Sequence, residues 1–228
     1  ETWKAAVQAC HDNAKQCSLM LPHIFRTEAE TYFRKHIDAL KEAGFDELVV
    51  KSLDEITFLR ENGLGDIPLV SDANLYVLNH LGISRMTLPL ELNSRELETL
   101  GCEEMELYVY GYLPAMVSAQ CIVRTTKGCT KQPEVLKMKD RTGKDLPVKN
   151  YCRFCYNTIY NPSPLSLLGQ EKLIRRLAPG ALRLAFTLET PEQMKAVLDA
   201  FADQFLHGEE TRDPFKDFTR GHFKRGVE

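Results

Sequence analysis

The chain has 228 residues, 43% hydrophobic and 27% charged, with a formal net charge of −3. That size supplies one well-buried domain, and that composition excludes a disordered polypeptide. No apolar run approaches a membrane span or reads as a secretory signal, and the odd count of seven cysteines argues against a secreted disulfide framework, so the cytoplasm is the expected compartment.

Glu1-Thr-Trp-Lys opens inside a helical pattern with no initiator methionine, which predicts the C-terminal part of a longer protein. Residues 2–14 read as a short amphipathic helix, and Cys17-Ser-Leu-Met-Leu-Pro22 as a strand. Thr27-Glu-Ala-Glu30 reads as a capping box whose helix stops at Gly44. Glu47-Leu-Val-Val-Lys51 is a strand, and Ser52-Leu-Asp-Glu55 caps the next helix. Ile67-Pro-Leu-Val70 is a strand followed by a short helix over 72–81. Met86-Thr-Leu-Pro-Leu90 is a strand, Asn93-Ser-Arg-Glu96 caps a helix, and Glu106-Leu-Tyr-Val-Tyr110 is a strand. Strand starts near 47, 67, 86 and 106 recur about every 20 residues, the rhythm of parallel βα units. The unbroken rhythm and the missing Gly-x-Gly-x-x-Gly fingerprint favour a barrel over an open doubly wound sheet.

The strand at 106–110 runs into the stretch to Pro164, which holds four of the cysteines. Cys121 and Cys129 form a loose pair, a lysine-rich hairpin follows, and Tyr151-Cys-Arg-Phe-Cys155 supplies a Cys-x2-Cys pair. Two close cysteine pairs in a polar loop suit a soft metal, because thiolates hold zinc or iron–sulfur iron. The seven residues between Cys121 and Cys129 exceed the usual zinc-knuckle spacing and favour a four-iron cluster, with zinc the alternative. Beyond this stretch, Ser163-Pro-Leu-Ser-Leu-Leu168 begins a short helix and Ala181-Leu-Arg-Leu-Ala-Phe-Thr187 is a sixth strand. Thr190-Pro-Glu-Gln193 caps the last long helix, and a basic, aromatic tail closes the chain.

The predicted fold is therefore α/β: a partial (β/α) TIM-like barrel with a cysteine-rich loop and β-hairpin inserted after a barrel strand. Six strands are read where a closed barrel needs eight, and the other two are expected upstream of Glu1. Within one structural domain, residues 1–113 form the βα-repeat part, 114–162 the metal-binding loop and hairpin, and 163–228 the final βα unit and tail.

In such a barrel the working face lies at the carboxyl ends of the strands. Those ends carry His23, Lys51, Asp72, Glu91 and Tyr110 as candidate catalytic residues. Arg26, Asn74, Asn93 and Tyr112 stand beside them. Asn93 is read as a cap, and Asp72 is open to the same reading. Neither His-Glu-x-x-His nor Gly-x-Ser-x-Gly occurs, so zinc-protease and serine-elbow chemistry lack their motifs. Cys10, Cys17 and Cys102 read as buried structural residues, and His11, His36, His80 and His207 as helix-surface residues. From Cys121 to Arg153, nine basic residues face three acidic ones. Lys137, Lys139, Arg141 and Lys144 in that segment are the candidate contacts for a polyanion such as RNA, with a solvated hairpin as the other reading.

Tyr110-Gly-Tyr-Leu-Pro-Ala-Met-Val-Ser-Ala-Gln-Cys121, Asn150-Tyr-Cys-Arg-Phe-Cys-Tyr-Asn-Thr-Ile-Tyr-Asn161 and Pro164-Leu-Ser-Leu-Leu168 resemble the collagenase-like peptidase U32 family, the larger clostridial-type members above all. Asp72-Ala-Asn-Leu-Tyr-Val-Leu-Asn79 and Arg220-Gly-His-Phe-Lys-Arg-Gly226 fit it too. The resemblance implies Cys121, Cys129, Cys152 and Cys155 as ligands of a 4Fe–4S cluster. Many members carry a further cysteine seven residues before the one matching Cys121, and Pro114 stands there in this chain. Ligand sets from those members therefore do not transfer whole. The family includes peptidases and also iron–sulfur proteins that support oxygen-independent hydroxylation of tRNA, ribosomal RNA or the ubiquinone ring, with prephenate implicated for the RNAs. Cluster-dependent hydroxylation of a tRNA base with a small-molecule hydroxyl donor is the leading expectation. A peptidase acting on collagen-like or unfolded chains is the alternative, and a zinc-stapled, non-enzymatic binding module is the third. No membrane partner is expected.

Overall fold

Four short strands lie side by side in chain order in the computed structural model, which describes residues 2–72 and 81–226. They are β1 (Ser18–Met20), β2 (Glu47–Val50), β3 (Leu69–Ser71) and β4 (Ile83–Met86), and each neighbouring pair is parallel. Parallel neighbours need a crossover. After α1 (Thr2–Asp12), helices α2 (Thr27–Lys35) and α3 (Ile37–Ala43) connect β1 to β2, and α4 (Leu53–Glu61) connects β2 to β3. The Leu-Val-Val run of β2 is buried throughout, as expected of a strand covered on both faces.

Three predicted capping boxes form, at Ser52–Glu55, Asn93–Glu96 and Thr190–Gln193. The one at Thr27 does not. Arg26 is the extended N-cap residue and Thr27 already lies inside the helix. The expected single helix to Gly44 is two helices meeting at His36, although Gly44 ends the second in the left-handed conformation (φ +79°). The strand expected at 86–90 runs instead over Ile83–Met86. Pro89 has no N–H to give a ladder, and Ser84 and Arg85 concealed the true strand from a hydropathy reading. Most of the helix expected at 72–81, including Asn74 and His80, lies outside the described residues.

Helix α5 (Ser94–Leu100) precedes β5 (Glu106–Gly111), which is flanked by parallel β11 (Ala181–Ala185) and antiparallel β10 (Leu165–Ser166). The helix expected from Ser163 is therefore β10, paired through Leu165 with Gly111, and α7 (Glu171–Leu177) begins later. Gly111 (φ +145°) admits this packing, because a Cβ there would strike the Ala185 carbonyl and the Tyr108 hydroxyl. Helix α8 (Pro191–Ala202) runs into a π-helical turn, Asp203–His207. A third sheet has the order β6 (Pro114–Ser118), β9 (Tyr156–Tyr160), β8 (Asp145–Tyr151) and β7 (Val135–Lys139), with a short helix α6 (Ile122–Thr126) after β6. The architecture is thus mixed α/β with parallel βα units, and the described strands fall into three sheets.

The chain divides into two compact units. The first comprises Glu1–Thr87, Val117–Glu134 and Asn150–Asn157, and the second Leu88–Met116, Val135–Lys149 and Thr158–Glu228. The first unit's core gathers Leu21, Phe33, Leu40, Leu48, Ile56 and Leu59, and the second's Val109, Tyr110, Leu167, Ile174 and Val197.

Candidate metal centre

The Cys152–Cys155 turn joins β8 to β9, and Cys155 takes the left-handed conformation (φ +55°) that lets a tight turn bring two thiols to one side. The two residues between them fix the turn to the first unit's core. Phe154 stacks on Phe33 at 5.8 Å and meets Tyr32 edge-on at 5.5 Å. Arg153 donates to the Tyr32 hydroxyl at 2.9 Å and lies over its ring at 5.0 Å. The other pair is anchored from β9. Buried Asn157 accepts the Ile122 N–H on its Oδ1 at 2.9 Å, which holds the start of α6 directly after Cys121. The Asn157 Nδ2 is buried without a hydrogen-bond partner.

The Cys152 thiol is pushed above the ordinary range, by burial first and then by the neighbouring thiols of Cys121, Cys129 and Cys155. Nearby thiols disfavour the charged form of Cys152, so the other three lie within its electrostatic reach. Cys152 Sγ donates to the Gln132 carbonyl at 3.2 Å, while Cys129 is exposed. Among the described residues, no three His, Cys, Asp or Glu side chains stand close enough together to hold a metal ion. The set is gathered but not drawn onto one point. Four thiols fit a soft metal or cluster in their donor chemistry, and thiolate ligation is itself what closes such sites.

Next to Cys155, buried Tyr156 stacks on Tyr151 at 4.7 Å. Its pKa is pushed up to about 12 by burial, then by Tyr151, and is held back by the His23 backbone, with Glu55 adding to the rise. The cysteine turn thus reaches the carboxyl ends of β1, β2 and β3. There Lys51 Nζ donates to the Leu21 carbonyl at 3.3 Å and pairs with Asp72 at 3.3 Å. Both partners are largely buried, with 8% and 17% of their side chains exposed. The His23 side chain is exposed at the same strand ends.

Glu55 is the residue that sequence reasoning passed over at this site. It is wholly buried, and its Oε2 accepts the Lys51 and Ser52 N–H groups while Oε1 has no partner. Burial raises its pKa to about 7, against the lowering effect of the Lys51 N–H and the Lys51 charge. Its place in a capping box explained it fully on sequence grounds, and no sequence signal marks the second oxygen.

The remaining candidates belong to the second unit. Glu91 is exposed in the turn after Pro89. Tyr110 is 0% exposed and enclosed by Phe186, Phe201 and Phe215. Lys137 and Lys139 on β7 are exposed, as are Arg141 and Lys144 in the hairpin loop. The hairpin is regular from Val135↔Lys149 to Lys139↔Asp145, and Asp140 orders its tip by accepting the Thr142 and Lys144 N–H groups. Of the cysteines read as structural, Cys102 is buried and donates to the Leu97 carbonyl, but Cys10 and Cys17 are only half-buried. Their helix-end and strand-start positions leave one side of each uncovered. His11 pairs with Asp46 at 2.9 Å. The Cys17 thiol beside them is pushed up, by burial and then by its hydrogen bond with Cys10, the reverse of an activated nucleophile.

Its parallel βα units make this a mixed α/β protein. The model of Peptidase family U32 matches residues 1–172, and the chain belongs to that family. No curated protein and no solved structure matches it. No helix among the described residues is long and apolar enough to cross a membrane.

Proposed function

We propose that this U32 member is an iron–sulfur protein supporting oxygen-independent hydroxylation of RNA, with a tRNA base as substrate, on a βα framework read as part of a barrel. The observation that carries the proposal is that Cys121, Cys129 and Cys155 lie within electrostatic reach of Cys152, whose turn is locked to the unit's core by Arg153 and Phe154. Cys121, Cys129, Cys152 and Cys155 would hold the cluster, which supplies one-electron chemistry when bound. Asn157 positions the backbone after Cys121, and the docked turn positions Cys152 and Cys155. Lys51 and Asp72 form a largely buried ion pair suited to orienting a polar small molecule, such as the hydroxyl donor, and Glu55 holds a proton near neutral pH. The exposed Lys137, Lys139, Arg141 and Lys144 would take the phosphates of the RNA, by charge rather than by base reading.

The peptidase reading draws on the family's description. Against it stands the nucleophile question. The Cys17 thiol beside the His11–Asp46 pair is raised rather than lowered, and the sequence lacks the zinc-protease helix.

The test is the metal. Protein produced and purified without oxygen should be brown and contain iron with acid-labile sulfide, and Cys152→Ser or Cys155→Ser should abolish both. Stoichiometric zinc with no iron after anaerobic reconstitution would overturn the cluster and leave a zinc-stapled module. Gelatin turnover that disappears on a single change at His23, Lys51 or Glu91 would instead establish the peptidase.

A further inference from the structure

Within the second unit, β5 and β11 end level with one another, Leu184 registered with Tyr110 and Ala185 with Gly111. The chain leaving β11 brings Thr187 and Glu189 to that end, and Asp213 arrives from the segment beyond α8. Tyr110 is wholly buried, its ring packed against Phe186 at 5.6 Å, Phe215 at 6.0 Å and Phe201 at 6.2 Å. Its hydroxyl has no hydrogen-bond partner. The same is true of Glu189 Oε1, Asp213 Oδ1 and Thr187 Oγ1, all of them buried atoms.

The second oxygen of each carboxylate is fully engaged. Glu189 Oε2 accepts the Thr187 and Leu188 N–H groups at 2.7 and 2.9 Å. Asp213 Oδ2 accepts the Ser166 hydroxyl at 2.9 Å and faces Arg220 at 3.7 Å. Each carboxylate is thus clamped by one oxygen and keeps the other buried and unbonded. Both carboxylates act on the Tyr110 hydroxyl, whose pKa is raised by burial first, then by Glu189, Tyr112 and Asp213. Glu189 lies against that hydroxyl without completing hydrogen-bond geometry. The nearby cations are occupied: Arg220 donates to the Ser166 carbonyl and Lys149 to the Thr187 carbonyl.

Buried carboxylate oxygens without a donor are costly, and native proteins keep few of them. Two such oxygens beside a neutral phenol call for a partner that donates several hydrogens and carries positive charge. We propose that the carboxyl ends of β5 and β11 form a binding site for a primary ammonium group, held by Tyr110, Glu189 and Asp213 while the phenylalanine rings exclude water. The three N–H bonds of an ammonium match the three acceptors. The group is carried either by a small amine or by the amino terminus of a peptide. The site is independent of the thiols and of the hydroxylation reading.

The experiment is a titration of the intact protein, followed by calorimetry and thermal shift at matched ionic strength. The probes are methylammonium, n-butylammonium, tetramethylammonium, glycylglycinamide and its N-acetyl form. Methylammonium should bind and raise the melting temperature, whereas tetramethylammonium, equal in charge but without an N–H, should not. Tyr110→Phe preserves the ring and should weaken the amine response by roughly tenfold or more, while stabilising the free protein by removing an unbonded hydroxyl. Glu189→Gln keeps an oxygen for the Thr187 and Leu188 N–H groups and serves should Tyr110→Phe fail to fold, with the same loss expected. Glycylglycinamide binding above its acetylated form and above n-butylammonium assigns the site to peptide amino termini, and the reverse order assigns it to small amines. Equal responses to methylammonium and tetramethylammonium would overturn the proposal. So would no amine response with Tyr110→Phe less stable than the parent, the mark of an ordered water alone.

Discussion

Arg153 donates to the hydroxyl of Tyr32 across 121 residues of sequence, and its guanidinium covers the same tyrosine's ring. One side chain from inside the Cys-x2-Cys turn thereby reads both the edge and the face of one residue on α2. The cation–π part of such an exposed pair contributes about 0.5–1 kcal/mol. A double-mutant cycle with Arg153→Ala and Tyr32→Phe should report only the hydroxyl term, because Tyr32→Phe keeps the ring under the guanidinium. Arg153→Ala with Tyr32→Ala should give the larger coupling. Phe154→Ala should be costlier than either, about 2 kcal/mol for a half-buried ring, and should speed metal loss to a chelator. Equal chelator rates in the parent and Phe154→Ala would show that the docking does not hold the thiols.

Asn157 offers a separate handle on the first cysteine pair. Its Oδ1 is the acceptor for the Ile122 N–H, and the residue is wholly buried. Asn157→Leu leaves that N–H without its acceptor and should cost about 1–3 kcal/mol. Asn157→Asp keeps the acceptor and tests whether position rather than packing matters. Iron content after anaerobic reconstitution should fall in the leucine variant and recover toward the parent in the aspartate variant. Undiminished iron in both would release Asn157 from any role in placing Cys121.

Glu55 sets a pH dependence whose sign is fixed by its burial. Its carboxyl ionises near 4.5 when unfolded and near 7 when folded. Between those values the folded chain holds a proton that the unfolded chain has released, so stability falls as pH rises from about 4.5 to 7 and is level above. The shift corresponds to about 3 kcal/mol at most. Glu55→Gln still closes the capping box with Ser52 but cannot titrate. Its unfolding free energy should lose that slope, and it should exceed the parent's at pH 8. Parallel stability curves for parent and variant between pH 4.5 and 8 would show that Glu55 ionises normally.

Much of this was legible in the sequence where periodicity and local chemistry agree. Ser52, Asn93 and Thr190 cap their helices as read, because a capping box needs only four residues and no tertiary partner. The buried run of β2 was equally plain. Ile83–Met86 was not, since its polar Ser84 and Arg85 mask the strand: Ser84 bonds the Leu69 carbonyl and Arg85 pairs with Glu47. Leu165–Ser166 read as a helix start because only its long-range partner, Tyr110–Gly111, makes it a strand. The cysteine pairs stood out by spacing alone. Phe154, Arg153, Asn157 and Glu55 did not, because each acts through a partner from 35 to 122 residues away or through an unbonded atom that no motif records.

The hairpin carries the remaining expectation. Lys137 is 76% exposed and meets Asp145, at 3.6 Å, across the ladder. Lys139 lies two residues on and so shares its face, while Arg141 and Lys144 sit in a tip ordered by Asp140. This is a rigid, solvated display of positive charge. If RNA phosphates lie along it, each contact releases counterions, and three to five contacts give a log–log salt slope of roughly −2 to −4. Lys137→Glu, Lys139→Glu and Lys144→Glu combined should weaken tRNA binding strongly, flatten that slope and leave iron and sulfide unchanged. The hairpin register should survive, because its bonds are backbone pairs from Val135 to Lys149 and the Asp140 tip is untouched. A triple variant that binds tRNA as tightly as the parent, with the same slope, would show that this charge is only a solvated face and that RNA recognition must be sought elsewhere on the protein.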